Sequence, residues 1–101
     1  GPLRKEEPIL PPALVEQLRS LTPKGVPVEM VETLAAYYFA NKPEDSDWVV
    51  LPVANFDAYF GTTSFGRKYL KQIPETIMER SETGFGLCRY RLSDTLAIKQ
   101  G

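Results

Sequence analysis

Apolar positions recur at helical spacing through the first part of the chain. Leu14, Val15, Leu18 and Leu21 fall on one helical face, which predicts a short helix from Ala13 to about Leu21. Thr22-Pro23-Lys24-Gly25 then breaks the pattern. Pro27 sits where the first turn of a helix tolerates a missing N–H. Val28, Val31, Leu34, Ala35 and Phe39 mark one face of a second helix reaching about Asn41. Ala36, Tyr37 and Tyr38 widen that stripe, so this helix is expected at the centre of the fold. After the acidic turn Glu44-Asp45-Ser46-Asp47, the run Trp48-Val49-Val50-Leu51 predicts a strand closed by Pro52. Asn55 is placed to cap a short helix from Phe56 to Phe60, with Phe56, Tyr59 and Phe60 turned inward and Gly61 as its stop. Thr62, Thr63 and Ser64 supply hydroxyls to cap a further helix from about Phe65 to Gln72, which Pro74 must end or kink.

Beyond Pro74 the period shortens. Thr76 to Ser81 and Leu87 to Leu92 predict two strands joined by the loop Glu82-Thr83-Gly84-Phe85-Gly86. A helix from Glu75 through Arg80 remains open beside the strand, because Ile77 and Met78 fit either period. In the last strand Cys88, Tyr90 and Leu92 share one face, and Leu87, Arg89 and Arg91 share the other, which turns both arginines to solvent. Residues 3–12, with Pro8, Pro11 and Pro12, predict an arm without helix. Gly1-Pro2 has the look of a scar left by tag removal, which would make the chain a piece of a longer protein. The expected organisation is therefore a remnant and flexible arm at 1–12, one domain at 13–93, and a tail at 94–101.

The elements run helix, strand, helix, turn, helix, strand, loop, strand, after an additional first helix. That order, together with the Gly61-Thr62-Thr63-Ser64 turn, resembles the winged-helix (winged helix-turn-helix) superfamily over about residues 27 to 92. The fold class implied is α+β: a small winged-helix domain with a three-helix core, an extra N-terminal helix and a C-terminal β-hairpin wing. The resemblance also implies that the helix before the hairpin enters the major groove of double-stranded DNA while the hairpin loop meets backbone or minor groove.

Charge sharpens that expectation. The chain carries a net −1, but the imbalance is polar along its length. Residues 1–54 hold five Lys/Arg against eight Asp/Glu, whereas residues 55–101 hold seven against five. On a projection of about 100° per residue from Phe65, Tyr69, Ile73 and Leu70 fall between roughly 40° and 140°. Arg67, Lys71, Ser64 and Lys68 fall between roughly 200° and 300° on the same count. The candidate nucleic-acid-binding residues are accordingly Thr62, Thr63, Ser64, Arg67, Lys68 and Lys71 on the helix, with Arg80, Arg89 and Arg91 on the hairpin. Each has an ordinary alternative: a basic helix face can be a solvated face, and Arg89 or Arg91 can pair with Glu79 or Glu82 across the hairpin.

Composition bounds the rest. With 43% hydrophobic residues in 101, one core holds without metal or disulfide. The absence of histidine removes His general bases and Ser-His or Cys-His pairs, so no catalytic residues are assigned and the chain is expected not to be an enzyme. No metal and no cofactor is expected either, since the acidic turn lacks the glycine and distal glutamate of a calcium loop. The single cysteine, Cys88, cannot close an internal disulfide, which favours an intracellular setting, and its expected role is a small buried apolar residue. No apolar run is long enough to span a bilayer, so a soluble chain with no membrane contact is expected. The function expected is a DNA-binding module of a larger regulatory or replication protein. The alternative is the same fold docking a protein partner or neighbouring domain through its acidic first half.

Overall fold

The first helix, α1, runs from Pro12 to Leu21 and opens on proline, where the absent N–H would have no helical partner. Val15 N–H closes its first turn on the carbonyl of Pro11 at 3.1 Å. In this computed structural model residues 9–51, 56–57, 68–82 and 88–96 are described. Leu14 and Leu18 are fully buried, while Val15 and Leu21 are half-buried. The break after α1 is a four-residue turn in which Val26 N–H meets the Pro23 carbonyl at 3.2 Å. Its third residue, Gly25, has φ +93°, a conformation that a side chain would strain.

The second helix, α2, runs from Val28 to Asn41 behind Pro27. Glu29 stands in its first turn, where the helix dipole favours a carboxylate. Its buried face is Met30, Val31, Leu34, Ala35, Ala36 and Tyr38. Of the expected stripe, Val31, Leu34, Ala35, Ala36 and Tyr38 are buried, whereas Val28, Tyr37 and Phe39 are half-buried. The Tyr38 hydroxyl reaches the Asp47 carbonyl at 2.6 Å, which lets that large ring go inside with its oxygen satisfied.

Three strands form one antiparallel sheet: β1 (Val49–Val50), β2 (Met78–Glu82) and β3 (Cys88–Leu92), in the order β1-β3-β2. The architecture is α+β. Val49 opposes Tyr90 and Val50 opposes Arg89, and Leu51 N–H extends the pairing to the Cys88 carbonyl at 2.7 Å. In the hairpin Met78 opposes Leu92, Glu79 opposes Arg91, Arg80 opposes Tyr90, Ser81 opposes Arg89 and Glu82 opposes Cys88. Residues 78–82 are thus strand, and the helix left open for 75–80 does not form. Turn residues 75–77 precede the strand, with Ile77 and Met78 N–H both directed to the Pro74 carbonyl.

Phe56 and Asp57 are helical, with Phe56 fully buried and its ring edge-on to Tyr37 at 5.6 Å. Residues 68–72 are helical too, but not as the regular α-helix expected. A π-type turn at Lys68 and Tyr69 passes into a 3-10 helix at Leu70–Gln72. Pro74 explains the tightening, since it forces Ile73 into the extended region (ψ 119°) and the last turn closes on Ile73 N–H to Leu70 O at 3.3 Å. The remainder of the predicted helices at 56–60 and 65–72, and the hairpin residues Gly84 to Gly86, lie outside the described residues.

The core gathers Leu14 and Leu18, the α2 face, Val49, Leu51, Phe56, Leu70, Ile73, Ile77, Met78, Tyr90 and Leu92. It also includes Leu96, 4% exposed, from the stretch 94–101 expected as a tail. Ser93 positions it: Ser93 N–H bonds Ile77 O at 2.9 Å, Thr95 N–H bonds Ser93 Oγ at 3.1 Å, and Leu96 N–H bonds Ser93 O at 3.2 Å. Gln17 Nε2 on α1 donates to the Thr95 carbonyl at 3.3 Å.

Two outcomes follow for stability. Leu96→Ala should cost about 2 to 3 kcal/mol, the usual effect of emptying a buried leucine site, measured by urea unfolding; a change under about 0.5 kcal/mol would mean the packing of Leu96 contributes little. Tyr90, fully buried, donates its hydroxyl to Leu34 O at 2.7 Å, and burial pushes its phenol well above the ordinary tyrosine value, with the neighbouring Tyr37 and Tyr38 adding to the shift. Above about pH 10 the unfolded chain releases that proton while the folded chain retains it, so stability falls as pH rises. Tyr90→Phe should cost about 1 kcal/mol at pH 7 and make the alkaline decline shallower. Tyr37, Tyr38 and Cys88, whose values burial also raises, should keep part of it. Unfolding curves from pH 7 to 11 read both effects.

Candidate nucleic-acid interface

The residues before Pro74 divide by side. Leu70 and Ile73 are buried and Tyr69 half-buried, whereas Lys68, Lys71 and Gln72 are exposed. The apolar pair anchors the turn in the core, and the two ammonium groups stand outside it. Irregular winding leaves the Lys68 carbonyl to the Gln72 side chain, whose Nε2 donates to it at 2.9 Å. Lys68 Nζ lies 5.3 Å from the centroid of the Tyr69 ring, within cation–π range. Lys71 lies in the last turn, where free carbonyls favour a cation. Thr62, Thr63, Ser64 and Arg67, the other expected contacts of this segment, lie outside the described residues.

The hairpin sorts its arginines by register. Directly opposed residues share a sheet face, so the face away from the core carries two rows. One is Val50, Arg89 and Ser81; the other is Trp48, which precedes β1, with Arg91 and Glu79. Arg89 is exposed, as expected, beside Val50, which is 45% exposed. Arg91 is not simply turned to solvent. Its Nε and Nη2 grip the two Glu79 carboxylate oxygens at 3.1 and 3.2 Å, and its guanidinium lies 4.7 Å from the centroid of the Trp48 ring. The Glu79 hydrogen bonds raise its pKa. The ordinary alternative, pairing across the hairpin, is therefore what Arg91 does, and planar two-point geometry is why arginine suits the place.

Arg80 opposes Tyr90 and so belongs to the other face of the sheet from Arg89 and Arg91. It is nonetheless exposed, because burial falls away along β2 from Met78 to Glu82 as the hairpin leaves the core. Among the described residues Lys68, Lys71, Arg80 and Arg89 form no ion pair; the three present are Arg19–Glu32, Lys42–Asp47 and Arg91–Glu79. The Trp48–Arg91 stack is the contact that sequence reasoning missed. It depends on β1 pairing with β3 in one register across some forty residues, and nothing local encodes that.

The remaining candidate chemistry is sparse. Glu44 and Asp45 are exposed at their turn, and Asp47 Oδ1 meets Lys42 Nζ at 3.6 Å. Among the described residues no three His, Cys, Asp or Glu side chains are grouped to hold a metal ion. Cys88 is half-buried, less than expected, and burial pushes its thiol up, away from the nucleophilic thiolate. No helix among the described residues is long and apolar enough to cross a membrane. Comparison with protein-family models, curated proteins and solved structures found no match.

Trp48 is the chain's single tryptophan, so its emission reports on the guanidinium above it. Arg91→Ala should shift Trp48 emission and lower the thermal midpoint. Arg89→Ala should leave emission unchanged and alter stability by less than about 0.5 kcal/mol. Equal responses in the two variants would contradict the assignment of Arg91 to the sheet and Arg89 to solvent.

Proposed function

We propose that this chain is a winged-helix module that binds double-stranded DNA, through the helical segment at about 64–72 and the hairpin, as part of a larger regulatory or replication protein. The observation that carries the reading is the turn before Pro74, where Leu70 and Ile73 are buried while Lys68 and Lys71 are exposed. A reading helix needs such a division, since one side must hold the scaffold and the other must meet phosphates and base edges. Sheet order supports it as well. With β3 central and β1 and β2 at the two edges, the helical residues 56–57 and 68–72 lie in the connection between the edge strands. A helix-turn-helix followed by a wing requires that placement.

In this reading Lys68, Lys71 and Arg89 supply charge to the backbone, and Thr62, Thr63, Ser64 and Arg67 are the further contacts expected from the same segment. Arg80 contributes from the hairpin's other face. Arg91 acts indirectly by fixing the hairpin's shape through Glu79 and Trp48. Fluorescence anisotropy with labelled duplexes tests the proposal. Binding should weaken steeply as salt rises. Arg67→Ala should cost about 1 to 3 kcal/mol if it reads a base, and Lys71→Ala should weaken all sequences alike and lower the salt slope by about 1. No salt-sensitive binding to any duplex would overturn it.

A second reading, a protein-docking domain, is favoured by Ile9, which is 92% exposed on the proline-bearing arm. It replaces the first if duplex binding is absent, and it requires that Ile9→Asp, and not Lys71→Ala, removes a protein recovered by pull-down.

A further inference from the structure

We infer that Lys24, in the turn between α1 and α2, is an additional phosphate-contacting residue of the same DNA surface, an inference that rests on the duplex-binding reading above. In sequence Lys24 belongs to the acidic first half, more than forty positions from Lys68. The fold removes that distance. A β-carbon built on Gly25 would lie 3.8 Å from Gln72 Oε1, so the turn that carries Lys24 runs beside the side chain of Gln72. Gln72 in turn holds the Lys68 carbonyl through its Nε2 at 2.9 Å. Lys24, Lys68 and Lys71 are all exposed, and none forms an ion pair among the described residues. Exposed lysines from two separate segments thus sit on neighbouring turns, joined through Gly25 and Gln72.

The turn is suited to the role. Pro23 fixes one backbone angle, Gly25 takes the positive φ, and Val26, 6% exposed, anchors the far end in the core. The backbone beneath Lys24 is therefore held in place before any ligand arrives, and only side-chain freedom is lost on contact. A lysine on such a base offers a point charge to a phosphodiester oxygen without reading sequence. A duplex backbone suits such lysines because it carries a phosphate charge at every nucleotide along both strands.

The test is anisotropy with the full chain and a labelled duplex at several salt concentrations, comparing wild type with Lys24→Ala, Lys24→Arg and Lys42→Ala. Lys42 is the control, because its ammonium already meets Asp47. Lys24→Ala should weaken binding roughly fivefold to tenfold near 0.1 M salt and reduce the salt slope by about 1, equally for different duplex sequences. Lys24→Arg should restore both, and Lys42→Ala should change neither. Unchanged thermal midpoints establish that all variants fold. Wild-type binding with Lys24→Ala indistinguishable from it would overturn the role of Lys24 and leave the duplex-binding reading standing. Absence of salt-sensitive binding by wild type would overturn both. A loss that varied from one duplex sequence to another would make Lys24 a base-reading residue and overturn the assignment to phosphate.

Discussion

The fold hangs on the tyrosine at the middle of the central strand. Tyr90 is fully buried, its hydroxyl bonded to the Leu34 carbonyl of α2 at 2.7 Å and its ring 5.7 Å from that of Tyr38. A phenol taken this far from water must find an acceptor or lose much of the benefit of burial. A helical carbonyl can serve because it has a second lone pair beyond the one used in its own helix. This contact fixes the sheet against α2, and it also fixes the parity of β3. With Tyr90 inward, Arg89 and Arg91 must face outward, and Met78, Leu92 and Val49 must face inward by register. A one-residue slip would bury both arginines at once.

Parity alone does not make the outward arginines equivalent. The guanidinium opposite Glu79 and beside Trp48 is consumed in holding three strands together, while its neighbour two residues earlier has no carboxylate within pairing distance among the described residues. A tally of basic residues between Thr63 and Leu92 would score them alike. What distinguishes them is the identity of the residues facing them on the adjacent strands, a property of pairing rather than of composition. The same holds for the first half of the chain. Its acidic balance hides an exposed lysine on the α1–α2 turn, whose Gly25 lies beside Gln72 in the turn before Pro74.

Much of the framework was legible because its signals are local. Proline and glycine punctuate α1 and α2 at Pro12, Gly25, Pro27 and Pro43, and those helices fall within a residue of expectation. Alternation along Cys88 to Leu92 gave the correct two faces. The misses share a cause, which is dependence on distant partners. Residues 68–72 wind as π and 3-10 turns because Pro74 and the core compete for the same few residues. The Trp48–Arg91 stack and the proximity of Gly25 to Gln72 come from long-range closure, as does the burial of Leu96.

That last closure bears on how the domain is made. The bond from Gln17 to Thr95 spans 78 positions, and contacts of such separation form late because a long loop must be ordered before they contribute. During vectorial synthesis α1 and α2 leave the ribosome well ahead of the strands that cover them and of the leucine that seals the core. Until position 96 emerges, the nascent chain exposes the greasy side of its first two helices, and that is the interval in which a chaperone's cover matters most to this domain.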